Sequence, residues 1–120
     1  MNFVEPIRDR KKIAQIKNQL RGQRRYRDLL LFVVGINTAL RSSDLLQLRI
    51  DNFIDDHKRI RHRFWIKEQK RNKRHEVVIN QSIREALGEY LEAYHGITEV
   101  SDNFVFFNTK TSDYSEPRIL

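Results

Sequence analysis

Two groups of basic residues could do chemistry, and for the first of them loose solvation is a poor explanation. The first is Arg41, within residues 35–48, GINTALRSSDLLQL. Residues 29–34 are uninterruptedly hydrophobic, Ile36 and Leu40 extend the pattern at helical spacing, and Leu45, Leu46 and Leu48 return to the core. Arg41 is thus set between two buried helices, with Ser42 or Ser43 as N-cap of the second and Asp44 in its first turn. Its guanidinium either pairs with Asp44, caps the preceding helix, or turns its fork toward an anionic ligand such as a phosphate. The second group is Lys67, Lys70, Arg71, Lys73 and Arg74, five cations in residues 67–74. Such a cluster either enters a nucleic-acid groove or guards a strand edge against aggregation.

The elements that must hold these groups follow from periodicity. Asp9 is a plausible N-cap, Ile13, Ile16 and Leu20 form one apolar stripe, and Gly22 ends that helix. Arg24, Arg25 and Arg27 crowd the start of the next helix, where acids are normally favoured, which points to negative groups nearby. Residues 49–56 leave the short helix after Arg41, with Phe53 and Ile54 available to the core. Ile60, His62, Phe64 and Ile66 then alternate with Arg61, Arg63, Trp65 and Lys67, which is strand spacing. His75, Val77 and Ile79 resume it after a turn in which Asn72 best tolerates a left-handed conformation. The result is a β-hairpin with a cationic tip. Asn80 caps a helix with Ile83, Ala86, Leu87, Tyr90, Leu91 and Tyr94 on one face, and Gly96 closes it. Residues 100–108 read as a buried extended segment, residues 109–113 as a polar turn, and residues 115–117 as the start of another helix. The fold class expected is α+β, mainly helical with a small antiparallel sheet.

Composition bounds the function. A chain of 120 residues makes one domain, and the absence of cysteine excludes disulfides and thiolate metal sites. Neither a signal peptide nor an apolar run long enough to span a bilayer is present in the sequence, so no membrane partner is expected. The formal charge is +7, unevenly spread. Residues 8–27 carry nine Lys/Arg against Asp9, and residues 57–76 nine more against Glu68 and Glu76. Residues 85–116 reverse the balance, with seven acids against Lys110. Two basic patches and an acidic C-terminal third suggest an oriented polyanion-binding surface, unless the cations simply solvate helix faces.

The run Thr38-Ala39-Leu40-Arg41-Ser42-Ser43-Asp44-Leu45 resembles the first box of the tyrosine recombinases, the phage integrase family: a small-residue turn, Leu-Arg, two variable residues, an acid and Leu. In that family a β-hairpin follows, whose turn carries a Lys-Thr-x-Lys-like motif. Here Lys67-Glu68-Gln69-Lys70-Arg71-Asn72-Lys73-Arg74 stands in its place, with Arg71 and Asn72 departing from the usual Thr-Gly. The resemblance runs from about Ile7 to Leu120. It implies that Lys70, or failing it Lys73, is the family lysine. The His-x-x-Arg box is not found: the third residues after His57, His62, His75 and His95 are Ile60, Trp65, Val78 and Thr98. Tyr26, Tyr90 and Tyr94 read as core-facing or half-buried, and Tyr114 precedes the place where that box would stand.

The resemblance therefore implies the N-terminal half of a recombinase catalytic domain, residues 1–120, from a shortened gene product or a deliberately shortened chain. It implies strand exchange on DNA without metal or cofactor, through a phosphotyrosyl intermediate in the intact enzyme. Arg41 would neutralise charge on the scissile phosphate, Lys70 would protonate the leaving oxygen, and Asp44 would orient the arginine. Arg63, Lys67, Arg71, Lys73 and Arg74 would contact DNA. Partners would be double-stranded DNA and further recombinase protomers, in a prokaryotic cytoplasm. This chain alone is expected to bind DNA weakly and not to cleave it. A non-catalytic basic nucleic-acid-binding or regulatory module is the competing reading.

Overall fold

Two helices set the core, because they carry the longest apolar faces. The computed structural model describes residues 9–107 and 118–119. Helix α1, Arg10–Gly22, leads to α2, Tyr26–Asn37, whose Leu29, Leu30, Phe32, Val33 and Val34 are all buried. Two single-turn helices follow, α3 at Ser42–Leu45 and α4 at Ile50–Phe53. Strands β1, Arg63–Lys67, and β2, Arg74–Val78, form a two-stranded antiparallel sheet. Helix α5, Gln81–Ala93, packs mainly on α2 through Ile83, Ala86, Leu87 and Tyr90. Helices with one small sheet make the α+β class expected from periodicity.

Caps explain the ends of the long helices. Asp9 accepts from the backbone N–H of Lys11 at 3.0 Å and of Lys12 at 3.3 Å, and Asn80 accepts from Ile83 N–H at 3.0 Å. Gly22 is the last residue of α1, but the left-handed residue that turns the chain is Arg24, at φ 57°. The N–H of Arg25 then reaches back to the carbonyl of Leu20 at 2.9 Å, which is why the turn falls two residues later than the glycine. Gly96 does take the left-handed conformation, at φ 82°, and a Cβ there would stand 2.7 Å from Ile119 Cγ2.

The hairpin joins the helical core by one face. Direct pairs across the sheet are Arg63 with Val78, Phe64 with Val77, Trp65 with Glu76, Ile66 with His75 and Lys67 with Arg74. Phe64 and Val77 are buried, and the Phe64 ring meets Phe53 edge-on at 5.0 Å. The buried Tyr90 hydroxyl donates to the carbonyl of Val105 at 2.7 Å, and burial pushes its pKa well above the ordinary tyrosine range.

Several local expectations change. Helix α2 stops at Asn37, so Leu40 is buried from an extended segment beyond the helix. Residues 49–56 contain the helical turn α4, because the side chain of Asn52 accepts from Arg49 N–H at 2.8 Å and closes it. The strand begins at Arg63, not Ile60: Ile60 pairs instead with Ile54, and His62 is exposed where the chain passes between the two pairings. Residues 100–107 make no regular strand; a bridge between Arg49 and Phe104 and the bond from Val105 N–H to Leu48 O anchor them, and a 3-10 turn, Ile97–Glu99, precedes them. The lead-in at residues 1–7, the turn at 109–113, Tyr114 and the helix start at 115–117 lie outside the described residues.

Candidate nucleic-acid interface

Arg41 is itself the N-cap of α3, in extended conformation at φ −73° and ψ 156°. Its carbonyl accepts from Asp44 N–H at 3.0 Å and Leu45 N–H at 2.9 Å. Ser42 and Ser43 are therefore inside the helical turn and not its cap, because the carbonyl that opens the turn belongs to Arg41. Leu45 beneath it is only 1 % exposed, so the position of the Arg41 backbone is fixed by core packing. The Arg41 side chain is half-buried, and among the described residues it has no ion pair and no hydrogen bond. Pairing with Asp44 is thus not what holds it.

Asp44 has another partner. It is 3 % exposed, and its Oδ1 accepts from the backbone N–H of Gln69 at 3.1 Å, 25 residues along the chain. Its Oδ2 is buried with no hydrogen-bond partner among the described residues. A buried carboxylate half-used in this way costs of the order of 1–3 kcal/mol relative to a satisfied one, so it is not an arrangement that stability alone selects. The bond joins the Arg41 turn directly to the hairpin turn, one residue before Lys70.

That turn is closed on itself as well. Glu68 N–H donates to Lys73 O and Asn72 N–H to Glu68 O, both at 2.8 Å, and Asn72 takes the left-handed conformation at φ 56°. Glu68 is nearly buried, with Oε1 3.2 Å from His75 Nδ1. The turn backbone is thus held by Asp44 on one side and by its own cross-bonds on the other, while its cations point outward. Lys67, Lys70, Arg71 and Lys73 are exposed and, among the described residues, their side chains have no ion pair or hydrogen bond. Two of the expected contact residues have partners within the chain on the sheet's outer face. Arg63 meets Glu76 at 3.1 Å, and the Arg74 guanidinium lies over the Trp65 ring at 4.8 Å.

A family description reading "Phage integrase family" matches residues 8–119. The chain belongs to the phage integrase family. Both the Arg41 turn and the hairpin turn fall within the matched residues of this integrase-family chain. It is similar to the probable integrase/recombinase YoeC of Bacillus subtilis (strain 168), with 36 % identity over 91 residues. Those residues are 75 % of this chain and 46 % of YoeC, so the chain spans about half the length of that curated relative. No solved structure gives a significant match. Among the described residues of the integrase-family chain, no helix is long and apolar enough to cross a membrane.

The link that sequence reasoning missed is Asp44 to Gln69. Asp44 was singled out, but its partner is a backbone N–H, and a backbone donor leaves no mark in residue type. Of the arginines that crowd the start of α2, Arg25 and Arg27 find partners inside the chain, as does Arg21 just before them, while Arg24 is exposed with no side-chain partner among the described residues. Arg25 Nε donates to Asp28 at 2.9 Å, Arg27 donates to Phe107 O at 2.5 Å, and Arg21 bonds Glu89 through two nitrogens at 2.6 and 3.1 Å.

Proposed function

We propose that this chain is the DNA-engaging part of a site-specific tyrosine recombinase, with Arg41 and Lys70 directed at one phosphate of double-stranded DNA. The observation that carries the reading is the Asp44–Gln69 bond, which ties the turn that starts at Arg41 to the turn that bears Lys70. An arginine without a side-chain partner among the described residues, and a tip whose Lys67, Lys70, Arg71 and Lys73 likewise have none there, are what a polyanion would complete.

In the intact enzyme, a tyrosine attacks the scissile phosphate and a phosphotyrosyl intermediate forms, releasing a 5′-oxygen. Arg41 neutralises charge that develops on the non-bridging oxygens, an effect usually worth about 3–4 kcal/mol per donor in a preorganised site. Lys70 protonates the leaving oxygen as general acid. Asp44 positions both by holding one turn against the other. Lys67, Arg71 and Lys73 supply phosphate contacts that carry no sequence information, and Arg63 and Arg74 join them from the outer face of the sheet. The setting is a prokaryotic cytoplasm, and further recombinase protomers are the partners of the assembled complex.

This chain alone binds duplex DNA with a dissociation constant of roughly 10⁻⁴ to 10⁻⁶ M near physiological salt, and more tightly as salt is lowered. It forms no covalent adduct with nicked duplex, because the members of such a catalytic set act as a unit. The test is an isotope-labelled chain titrated with a short duplex and followed by NMR. Arg41 Nε–H and the backbone N–H groups of Gln69, Lys70 and Arg71 are expected to shift together. Shifts confined to the far turn at Asp55–Arg59, or affinity indifferent to salt, would overturn the reading.

A further inference from the structure

The outer face of the hairpin carries a feature that phosphate contacts do not use. Trp65 is the single tryptophan of the chain and is 50 % exposed. The cross-strand register places it on one face with Arg63, Lys67, Arg74, Glu76 and Val78, and Val78 is 56 % exposed. Arg74 covers one side of the indole, and Arg63 is taken up by Glu76. Beside Trp65 and Lys67 opens a cleft of about 310 Å3, lined also by Gln47, Arg49 and Gln69, which reaches Asp44. The cleft beside the exposed indole thus borders the Asp44–Gln69 link that supports the proposed phosphate site.

An aromatic plane flanked by cations suits a polyanion that also shows π faces. Duplex DNA offers phosphates but keeps its base faces stacked on one another. An unpaired strand offers both, and base stacking on an aromatic side chain is a sequence-tolerant source of affinity. Charge complementarity alone would select either form; the open indole selects the unpaired one.

We propose that this face is a binding site for unpaired DNA, in which one base stacks on the open side of Trp65 while Lys67 holds a neighbouring phosphate. Arg74 backs the ring and keeps it in place. The proposal rests on the DNA-binding reading above and adds a preference within it. Strand exchange must open base pairs beside the broken bond, and a stacking platform next to the phosphate site holds the strand so released.

Because Trp65 is the only tryptophan, its fluorescence reports on this face alone. The experiment titrates the 120-residue chain with a single-stranded oligonucleotide, the blunt duplex of the same sequence, and that duplex with a short gap. Binding is followed by anisotropy of labelled DNA and stacking by quenching of Trp65. The single strand and the gapped duplex are expected to quench strongly, while the blunt duplex binds with little quenching. Trp65→Ala should weaken single-strand binding about tenfold and leave duplex binding within about twofold, while Trp65→Phe keeps most of the single-strand affinity. Equal quenching by duplex and single strand overturns the proposal, as does a Trp65→Ala effect that is the same on both or absent from both. If the duplex binds and the single strand does not quench, this inference falls while the DNA-binding reading stands; if neither DNA binds, both fall. An unchanged thermal unfolding curve for each variant confines the effects to the surface.

Discussion

The α1–α2 junction and the hairpin tip are both arginine- and lysine-rich, and, Arg24 of the junction aside, their cations are held in opposite ways. At the junction, Arg21 is held by Glu89, Arg25 by Asp28, and Arg27 by the Phe107 carbonyl and ring. At the tip, Lys67, Lys70, Arg71 and Lys73 stand in solvent with no side-chain partner among the described residues. Net charge counts both regions alike. What differs is whether the counter-charge is internal: the acids of α5 and of the first turn of α2 come within reach of the junction, whereas the acids near the tip, Glu68 and Asp44, are buried beneath it and bond other groups. Under the proposed function, available charge and not total charge would locate the surface for a polyanion.

The largest expected effect removes the available charge directly. Replacing Lys67, Lys70, Arg71 and Lys73 by alanine should weaken duplex binding by about two orders of magnitude at low salt and flatten the slope of log affinity against log salt by about 3–4. The triple replacement of Arg21, Arg25 and Arg27 should change that slope by less than about 1. Similar slopes for the two variants would break the comparison.

A second test separates the scaffold from the charge it presents. Leu45→Ala, under the Arg41 turn, should cost about 2–5 kcal/mol in urea unfolding, because a fully buried leucine is removed. Arg41→Ala and Lys70→Ala should each stay within about 0.5 kcal/mol of the parent. A large loss at Arg41 would make it a structural partner and not a presented cation.

The junction pairs are weaker. Arg21 and Glu89 are bidentate but 38 % and 31 % exposed, so Arg21→Ala should lose no more than about 1 kcal/mol after solvent screening. Removing both partners should cost scarcely more than removing one, as measured by a double-mutant cycle.

The smallest effect is a pH dependence far from both regions. Asp55 accepts from the N–H groups of Arg59 at 2.9 Å and His57 at 2.8 Å, and these bonds, that to Arg59 foremost, lower its pKa below the ordinary aspartate value of 3.8. The folded turn favours the carboxylate, so its contribution is complete above the ordinary value and is lost as pH falls through the lower folded one. Hydrogen exchange at His57 and Arg59 should accordingly lose protection only in that acid range, and Asp55→Asn should remove the dependence.

Much of this was legible in residue order. Short-range rules placed the caps at Asp9 and Asn80, the left-handed Asn72, the hairpin and the face of α5, while Gly96, expected to close α5, turns the chain only after the helix has ended at its C-cap Tyr94. They erred where a cap is a backbone group, as at Arg41, and where the positive-φ residue is not the glycine, as at Arg24. They also misplaced the strand start, because Ile60 finds its partner in Ile54 and not in the hairpin.

By itself the sequence determined the helical faces, the alternating strands and the family likeness of the Arg41 and Lys70 motifs, since these depend on side-chain type at fixed spacing. Only the tertiary structure decided which cations keep their charge for a ligand. That depends on whether a carboxylate or a carbonyl far along the chain arrives within about 3 Å, the distance at which a hydrogen bond forms. The bond from Gln69 N–H to Asp44 is such an arrival: its donor is backbone, so only the folded chain reveals it.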